Sequence, residues 1–239
     1  MRFVDNARSM SFDERIVALL PLLAKLRLER GRGFVIELAG MSNAGKTELM
    51  GNLRHLFYVA GAEVYAKVEG AFDIPFLQRE RRDPITYNLR TLEYARRQLL
   101  RHDLCLFDVL IFERSLFDAY CWFSVLKHNG RIDENAYNDI VGSILLDKYR
   151  ERIDLVIDFI VEPQVALERE ITARYTSRRS VGTNIEILQA QYDAHISAAI
   201  DLRDKFRILQ IDTSVLTREA VYEWVVDNTL TIMEIVTHE

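Results

Sequence analysis

The run Gly40-Met-Ser-Asn-Ala-Gly45-Lys46-Thr47 sets two glycines, a lysine and a threonine at the spacing G-x-x-x-x-G-K-T. Each residue type has a task in one kind of chemistry. Glycines at 40 and 45 let the backbone turn tightly, so that consecutive N–H groups converge on a polyphosphate. A helix starting beneath the phosphates adds the positive end of its dipole. Lys46 then places an ammonium between the β- and γ-phosphates, and the Thr47 hydroxyl is a Mg²⁺ ligand. The context agrees with this P-loop pattern. The apolar run Phe34–Ala39 leads into it, and a helical pattern follows from Glu48 to about Ala60, giving strand, loop and helix. The expectation is a site for a nucleoside triphosphate, ATP with Mg²⁺, contacted by Gly40, Asn43, Ala44, Gly45, Lys46, Thr47 and Glu48.

Four further groups bear on what happens to the γ-phosphate. Glu113-Arg114-Ser115 follows an apolar strand, where a P-loop protein holds Mg²⁺ with a carboxylate; Glu113 is expected there, with Arg114 bridging donor and acceptor phosphates. Glu69 ends a second strand and is placed to accept the proton of a substrate hydroxyl. Arg169, Arg174, Arg178 and Arg179 fall in and beside a polar stretch between two helices, a lid at about 169–184 whose arginines would neutralise charge in the transition state. Tyr87, Asn88, Arg90 and Tyr94, preceded by Arg79, Arg81 and Arg82, offer aromatic faces, an amide and cations to a nucleobase or a phosphate.

These residues need a frame. Apolar runs at 34–39, 63–68, 105–112, 154–161 and 207–212 read as strands. Helical patterns fill 12–30, 48–60, 86–101, 116–128, 133–150, 164–175, 185–206 and 218–236. Pro21 predicts a kink or a break in the first helix, and the charged stretch 71–85, with Pro75 and Pro84, reads as a loop or broken helix. Strands alternating with helices, several of them nearly all apolar, indicate a parallel sheet covered on both faces. Ligands of such sheets bind at the carboxyl ends of the strands, where Gly40, Glu69 and Glu113 all fall.

Composition sets outer bounds. The chain of 239 residues suits one large α/β domain, read as a helical extension at 1–33 and a main domain at 34–239. A net charge of -5 argues against a polymeric nucleic-acid partner. Cys105 and Cys121, isolated in apolar surroundings, read as reduced core thiols of a cytoplasmic protein. No apolar run is long enough to span a bilayer.

Together, GMSNAGKT at 40–47, Glu69, FERS at 112–115 and the run IDLVIDFIVEPQVALEREITARYTSRR at 153–179 resemble the deoxynucleoside kinase and thymidylate kinase superfamily of P-loop kinases, over roughly residues 34–215. The resemblance implies a three-layer P-loop NTPase fold with a parallel sheet of about five strands, helices on both faces and a short arginine-bearing lid. It also implies ATP- and Mg²⁺-dependent phosphoryl transfer to a nucleoside or nucleoside monophosphate. Lys46 would bind phosphates, Thr47 and Glu113 would serve Mg²⁺, and Glu69 would be the base. Arg114 would hold the reacting 5′ group, and lid arginines such as Arg174 and Arg178 would stabilise the transferred phosphoryl. Tyr87, Arg90 and Asp118 join Glu69 and Arg114 as the expected acceptor contacts. Members are often dimers, for which apolar helices at 12–30 or 116–150 offer an interface. The chain departs from the family's pattern in Val68-Glu69-Gly70, in the residues after Ser115, in the register of Asp118 and in a longer lid. Two other readings therefore stand beside the first: a kinase of an unusual acceptor, such as a modified nucleotide or a DNA base, and a non-catalytic nucleotide-binding regulator.

Overall fold

The computed structural model describes residues 11–68, 73–75, 77, 83–101, 105–173 and 184–238. Five strands, β1 (Phe34–Gly40), β2 (Val64–Lys67), β3 (Val109–Glu113), β4 (Leu155–Ile160) and β5 (Ile208–Asp212), form one sheet in the order β2-β3-β1-β4-β5. All four pairings are parallel. Parallel neighbours need crossovers, and the helices between the strands supply them. The described helices are α1 (Phe12–Arg30), α2 (Lys46–Val59), α3 (Pro84–Leu99), α4 (Leu116–His128), α5 (Glu134–Ile144), α6 (Asp147–Arg150), α7 (Pro163–Ala173), α8 (Ile185–Asp201) and α9 (Arg218–Val236), with α2 to α8 between strands.

β1 is buried along its whole length because it lies between β3 and β4 with helices on both faces. Its alternate side chains feed two cores. Phe34, Ile36 and Leu38 pack with α1, α2 and α9, whereas Val35 and Ala39 face the core built by α3, α4 and α5. Between these last two sits Glu37, fully buried on the same face.

The ladder continues past the strand ends and delivers three loops to one rim. Met41 N donates to Phe159 O at 2.9 Å, Arg114 N to Leu38 O at 3.0 Å, and Thr213 N to Ile160 O at 2.9 Å. The carboxyl ends of β1, β3 and β5 are thereby fixed relative to one another before any side chain contributes.

Several boundaries differ from expectation. Pro21 sits inside one continuous α1 rather than breaking it. The helix is held by a capping box at Ser11 and Glu14, by Leu19, Leu23 and Leu26 in the core, and by the Arg15–Asp227 ion pair at 2.8 Å. Pro84 opens α3 as its first residue, capped by Asp83, where proline's fixed φ and missing N–H cost nothing. The stretch 133–150 is two helices, with Leu145-Leu146 between them. β3 begins at Val109, and Cys105 before it is exposed, so only Cys121 is a core thiol. Burial among acidic groups raises that thiol's pKa well above its ordinary value. No helix among the described residues is long and apolar enough to cross a membrane.

Candidate functional site

The loop after β1 has the backbone its glycines require. Gly40 has φ 134°, and a Cβ there would lie 2.3 Å from Phe159 O. Gly45, the N-cap of α2, has φ 95° and offers no side-chain cap. Asn43 takes φ 62°, a left-handed conformation that asparagine tolerates, and its side-chain amide donates to Ala166 O at 3.3 Å. Lys46 folds back over this loop. Its ammonium donates to Gly40 O at 2.8 Å and to Met41 O at 2.6 Å, and the residue is buried. The loop thus closes around a cation at the start of a helix whose N-terminus no side chain fills.

Across the rim, Thr47 Oγ1 donates to Glu113 Oε1 at 2.6 Å. The two hard oxygens belong to different elements, α2 and β3, and meet because β1 and β3 are neighbours. Arg114 adopts φ 59°, which is uncommon for a residue with a Cβ and marks a constrained turn at the end of β3. Its guanidinium lies 3.1 Å from Asp118 Oδ2, and the other Asp118 oxygen accepts from Gly40 N at 3.1 Å. One buried carboxylate therefore ties the arginine on the β3 side to the loop on the β1 side. Trp122, one turn along α4, lies under the same guanidinium at 5.9 Å.

The start of α4 is organised by Glu37. Its Oε1 accepts from Ser115 N at 2.8 Å and Asp118 N at 3.0 Å, and its Oε2 accepts from Phe117 N at 3.1 Å. Burial pushes the Glu37 carboxyl up to about 7, against these N–H bonds, which hold it down.

Lys46, Thr47, Glu113, Arg114, Asp118 and Trp122 line one cavity of about 1470 Å³. One end is lined by the loop, Thr213 and the start of α9 (Thr217, Arg218, Val221), the other by Tyr87, Asn88, Thr91 and Trp122.

No protein-family model matches the sequence, and no curated protein does. Solved structures do. The structure of deoxyadenosine kinase from M. mycoides with bound dCTP superposes with a TM-score of 0.60 at 17% identity, covering 83% of this chain and 99% of that one. The same enzyme with bound dATP gives 0.60 and 17%, with 83% and 100% covered. With the products dCMP and a flexible dCDP it gives 0.61 and 18%, with 83% and 98% covered. This chain has the deoxyadenosine kinase fold. That is the three-layer, five-stranded parallel architecture the sequence led to.

On the deoxyadenosine kinase fold, the residues singled out by sequence divide into three sets. Asn43, Ala44, Gly45, Lys46, Thr47, Glu113, Arg114, Asp118 and Tyr87 all line the cavity, and Gly40 holds the turn behind them. Glu48 lines it too, but its carboxylate pairs with exposed Arg218 at 3.0 Å. Arg90, expected at the acceptor end, stands on α3 outside the cavity wall; neighbouring Asn88 is on the wall instead, with its amide turned to Pro84 O at 2.7 Å. Tyr94 is bonded to Asp73, which also pairs with Lys67 at 2.5 Å. Glu69, Arg79, Arg81, Arg82, Arg174, Arg178 and Arg179 lie outside the described residues.

Arg169, expected at the start of the lid, is bonded to the loop and to the end of β5. It donates to Asn43 O at 3.3 Å, to Thr213 Oγ1 at 3.2 Å and to Thr213 O at 2.6 Å. It clamps α7 to the loop and to the end of β5. Two residues of the site carried no motif: Glu37 and Gln191, whose Oε1 accepts from Ser42 N at 3.4 Å. Glu37 had one legible signal, a lone acid in an otherwise apolar strand.

Proposed function

We propose that the protein is a kinase that transfers the γ-phosphoryl of ATP to a nucleoside or nucleoside monophosphate. The observation that carries this reading is the single cavity of about 1470 Å³ running from the P-loop to the wall of α3 and α4. Ligand pockets commonly enclose about 300–1,000 Å³, so this one has room for a donor and an acceptor together. Lys46 and the open N-terminus of α2 suit the donor's phosphates. Tyr87, Asn88 and Trp122, two aromatic faces and an amide, suit a base at the other end. Thr47 and Glu113 bring two oxygen donors to the junction, a set that fits Mg²⁺, which favours oxygen ligands and keeps several waters. When bound there the ion would neutralise charge on the phosphates.

The protein's own groups then have distinct tasks. Lys46 holds the β- and γ-phosphates in place of the two carbonyls it now contacts. Arg114, oriented by Asp118, faces the reacting oxygen of the acceptor. Glu69 is the proposed base for a hydroxyl acceptor, and Arg174 and Arg178 are proposed to close over the triphosphate. Association into dimers and residence in the cytoplasm belong to the same proposal.

The test is product detection by mass spectrometry after incubation with ATP, Mg²⁺ and pooled nucleosides, nucleoside monophosphates and a short DNA, beside a Lys46→Ala control. A Lys46-dependent gain of one phosphate on a nucleoside or monophosphate is expected. Phosphorylated DNA would move the assignment to a polymer substrate. Binding of ATP with no phosphorylated product would overturn the kinase reading in favour of a nucleotide-binding regulator.

A further inference from the structure

Serine, threonine, aspartate or asparagine placed before a helix normally spends its side-chain oxygen on the first free N–H groups. Five helices of this protein follow that rule. Ser11 caps α1, Asp83 caps α3, Asp133 caps α5, Asn184 caps α8 and Thr217 caps α9, each accepting from a backbone N–H of the first turn. Ser115, the N-cap residue of α4, does not: its side chain makes no capping bond. The carboxylate of Glu37, reaching from the adjacent β1, has taken that place with three N–H bonds of its own.

The serine is thereby left with an uncommitted hydroxyl. Ser115 is 4% exposed, its Oγ is buried, and that oxygen has no hydrogen-bond partner among the described residues. A buried hydroxyl without a partner is costly, and native proteins seldom keep one without a reason. The position supplies one: Ser115 is among the residues that line the cavity, with Arg114 and Asp118 beside it in the chain lining it too. A hydroxyl has one donor and two acceptor positions and turns about a single bond, so it can meet either a hydroxyl or a phosphate oxygen.

We propose that the Ser115 hydroxyl is a hydrogen-bonding group for the acceptor substrate, and that Glu37 is the positioning residue whose capping of α4 keeps it available. This rests on the kinase reading of the cavity. Glu37 itself touches no substrate. It acts by fixing the turn that carries Arg114, Ser115 and Asp118, and by removing the helix's claim on the serine.

The arrangement makes an unusual coupling measurable. In the wild-type background, Ser115→Ala should leave the thermal midpoint unchanged or slightly raised, because no cap is lost. It should raise the acceptor KM about tenfold with ATP affinity unchanged, and Ser115→Thr, which keeps the hydroxyl, should restore most of the loss. In a Glu37→Ala background the serine is recruited to the vacant helix terminus. Ser115→Ala should then lower the midpoint by several degrees and add little to KM. Glu37→Leu, which also removes the acceptor and fills the volume, serves the same comparison should the alanine variant fail to fold. The kinetics use ATP, Mg²⁺ and the nucleoside or monophosphate that gains a phosphate in the screen above, beginning with deoxyadenosine. If Ser115→Ala destabilises the wild-type protein as loss of a cap would, or leaves the acceptor KM unchanged while the wild type turns over, the proposal is wrong and the kinase reading stands. A wild-type protein that phosphorylates no acceptor removes both.

Discussion

α2 and α4 begin at the same rim of the same sheet, one after β1 and the other after β3, and both point their positive ends toward the cavity. They are treated in opposite ways. α2 starts from Gly45, has no side-chain cap and gathers Lys46 and Thr47 around its first turn. α4 starts from Ser115, and its first N–H groups are taken by a carboxylate of the protein itself. A helix N-terminus attracts an anion wherever it is left open. The difference therefore leaves one of two adjacent positive ends open to an outside anion and closes the other. The second is filled internally, which frees the side chains around it to read something else.

The contrast can be broken at its open end. Lys46→Ala should lower phosphoryl transfer about 10³-fold, the scale for losing a donor that stabilises transition-state charge. Titration with an ATP analogue and single-turnover kinetics should place the loss in both binding and rate. The same variant loses the bonds from Lys46 to Gly40 O and Met41 O, so its urea unfolding is measured alongside.

The backbone that opens α2 is the next target. Gly40→Ala would force a Cβ to within 2.3 Å of Phe159 O at φ 134°. A loss of about 3 kcal/mol in urea unfolding is expected, from overpacking and the strained φ together. A loss below 1 kcal/mol would mean that β1 and β4 can part at the rim.

The filled end has a pH signature. Glu37 titrates near 7 in the fold, against 4.5 for the free side chain. Between those values the native state keeps a proton that the unfolded chain releases. The stabilisation from Glu37 is therefore full below pH 4.5 and is lost as pH rises through 7, by an amount on the order of 3 kcal/mol. Unfolding free energies of wild type and Glu37→Gln, measured from pH 4.5 to 8, should differ in slope by about that amount. Parallel curves would mean that the three N–H bonds keep Glu37 ionised throughout.

A third helix meets the cavity with an ordinary terminus. Thr217 Oγ1 accepts from Ala220 N at 3.2 Å at the start of α9. Thr217→Ala should cost about 1 kcal/mol by thermal denaturation, the usual value for a lost cap. It should leave Ser115 variants unaffected.

Much of this was readable from residues alone. The P-loop, its strand and helix, and Glu113 declare themselves because short-range spacing defines them. The parallel sheet follows because strands buried on both faces must be nearly all apolar. Residues acting across the sheet were not readable. Glu37 caps a helix that begins at Leu116, and Asp118 bonds the backbone of Gly40. Neither spacing means anything until β1 and β3 lie side by side. The bond from Arg169 to Thr213 was not readable either, because Thr213 comes after another helix and strand in the chain. Arg90 and Asn88 are two positions apart on one helix, so the wall of the cavity takes one and not the other. Pro21 pointed to a kink or a break, and the break is absent because core contacts on either side hold one continuous helix.

The sheet order carries a consequence for synthesis. β1 is made early, but its two partners begin at Val109 and Leu155. At roughly 5–20 residues per second, a ribosome works for on the order of ten seconds between finishing Gly40 and finishing β4. Until β3 is made, Phe34, Ile36 and Leu38 have no neighbouring strand, and one edge of β1 stays open until β4 follows. The nascent chain therefore carries a fully buried strand unpaired for part of its birth, and a chaperone that shields extended apolar segments has this stretch to protect first.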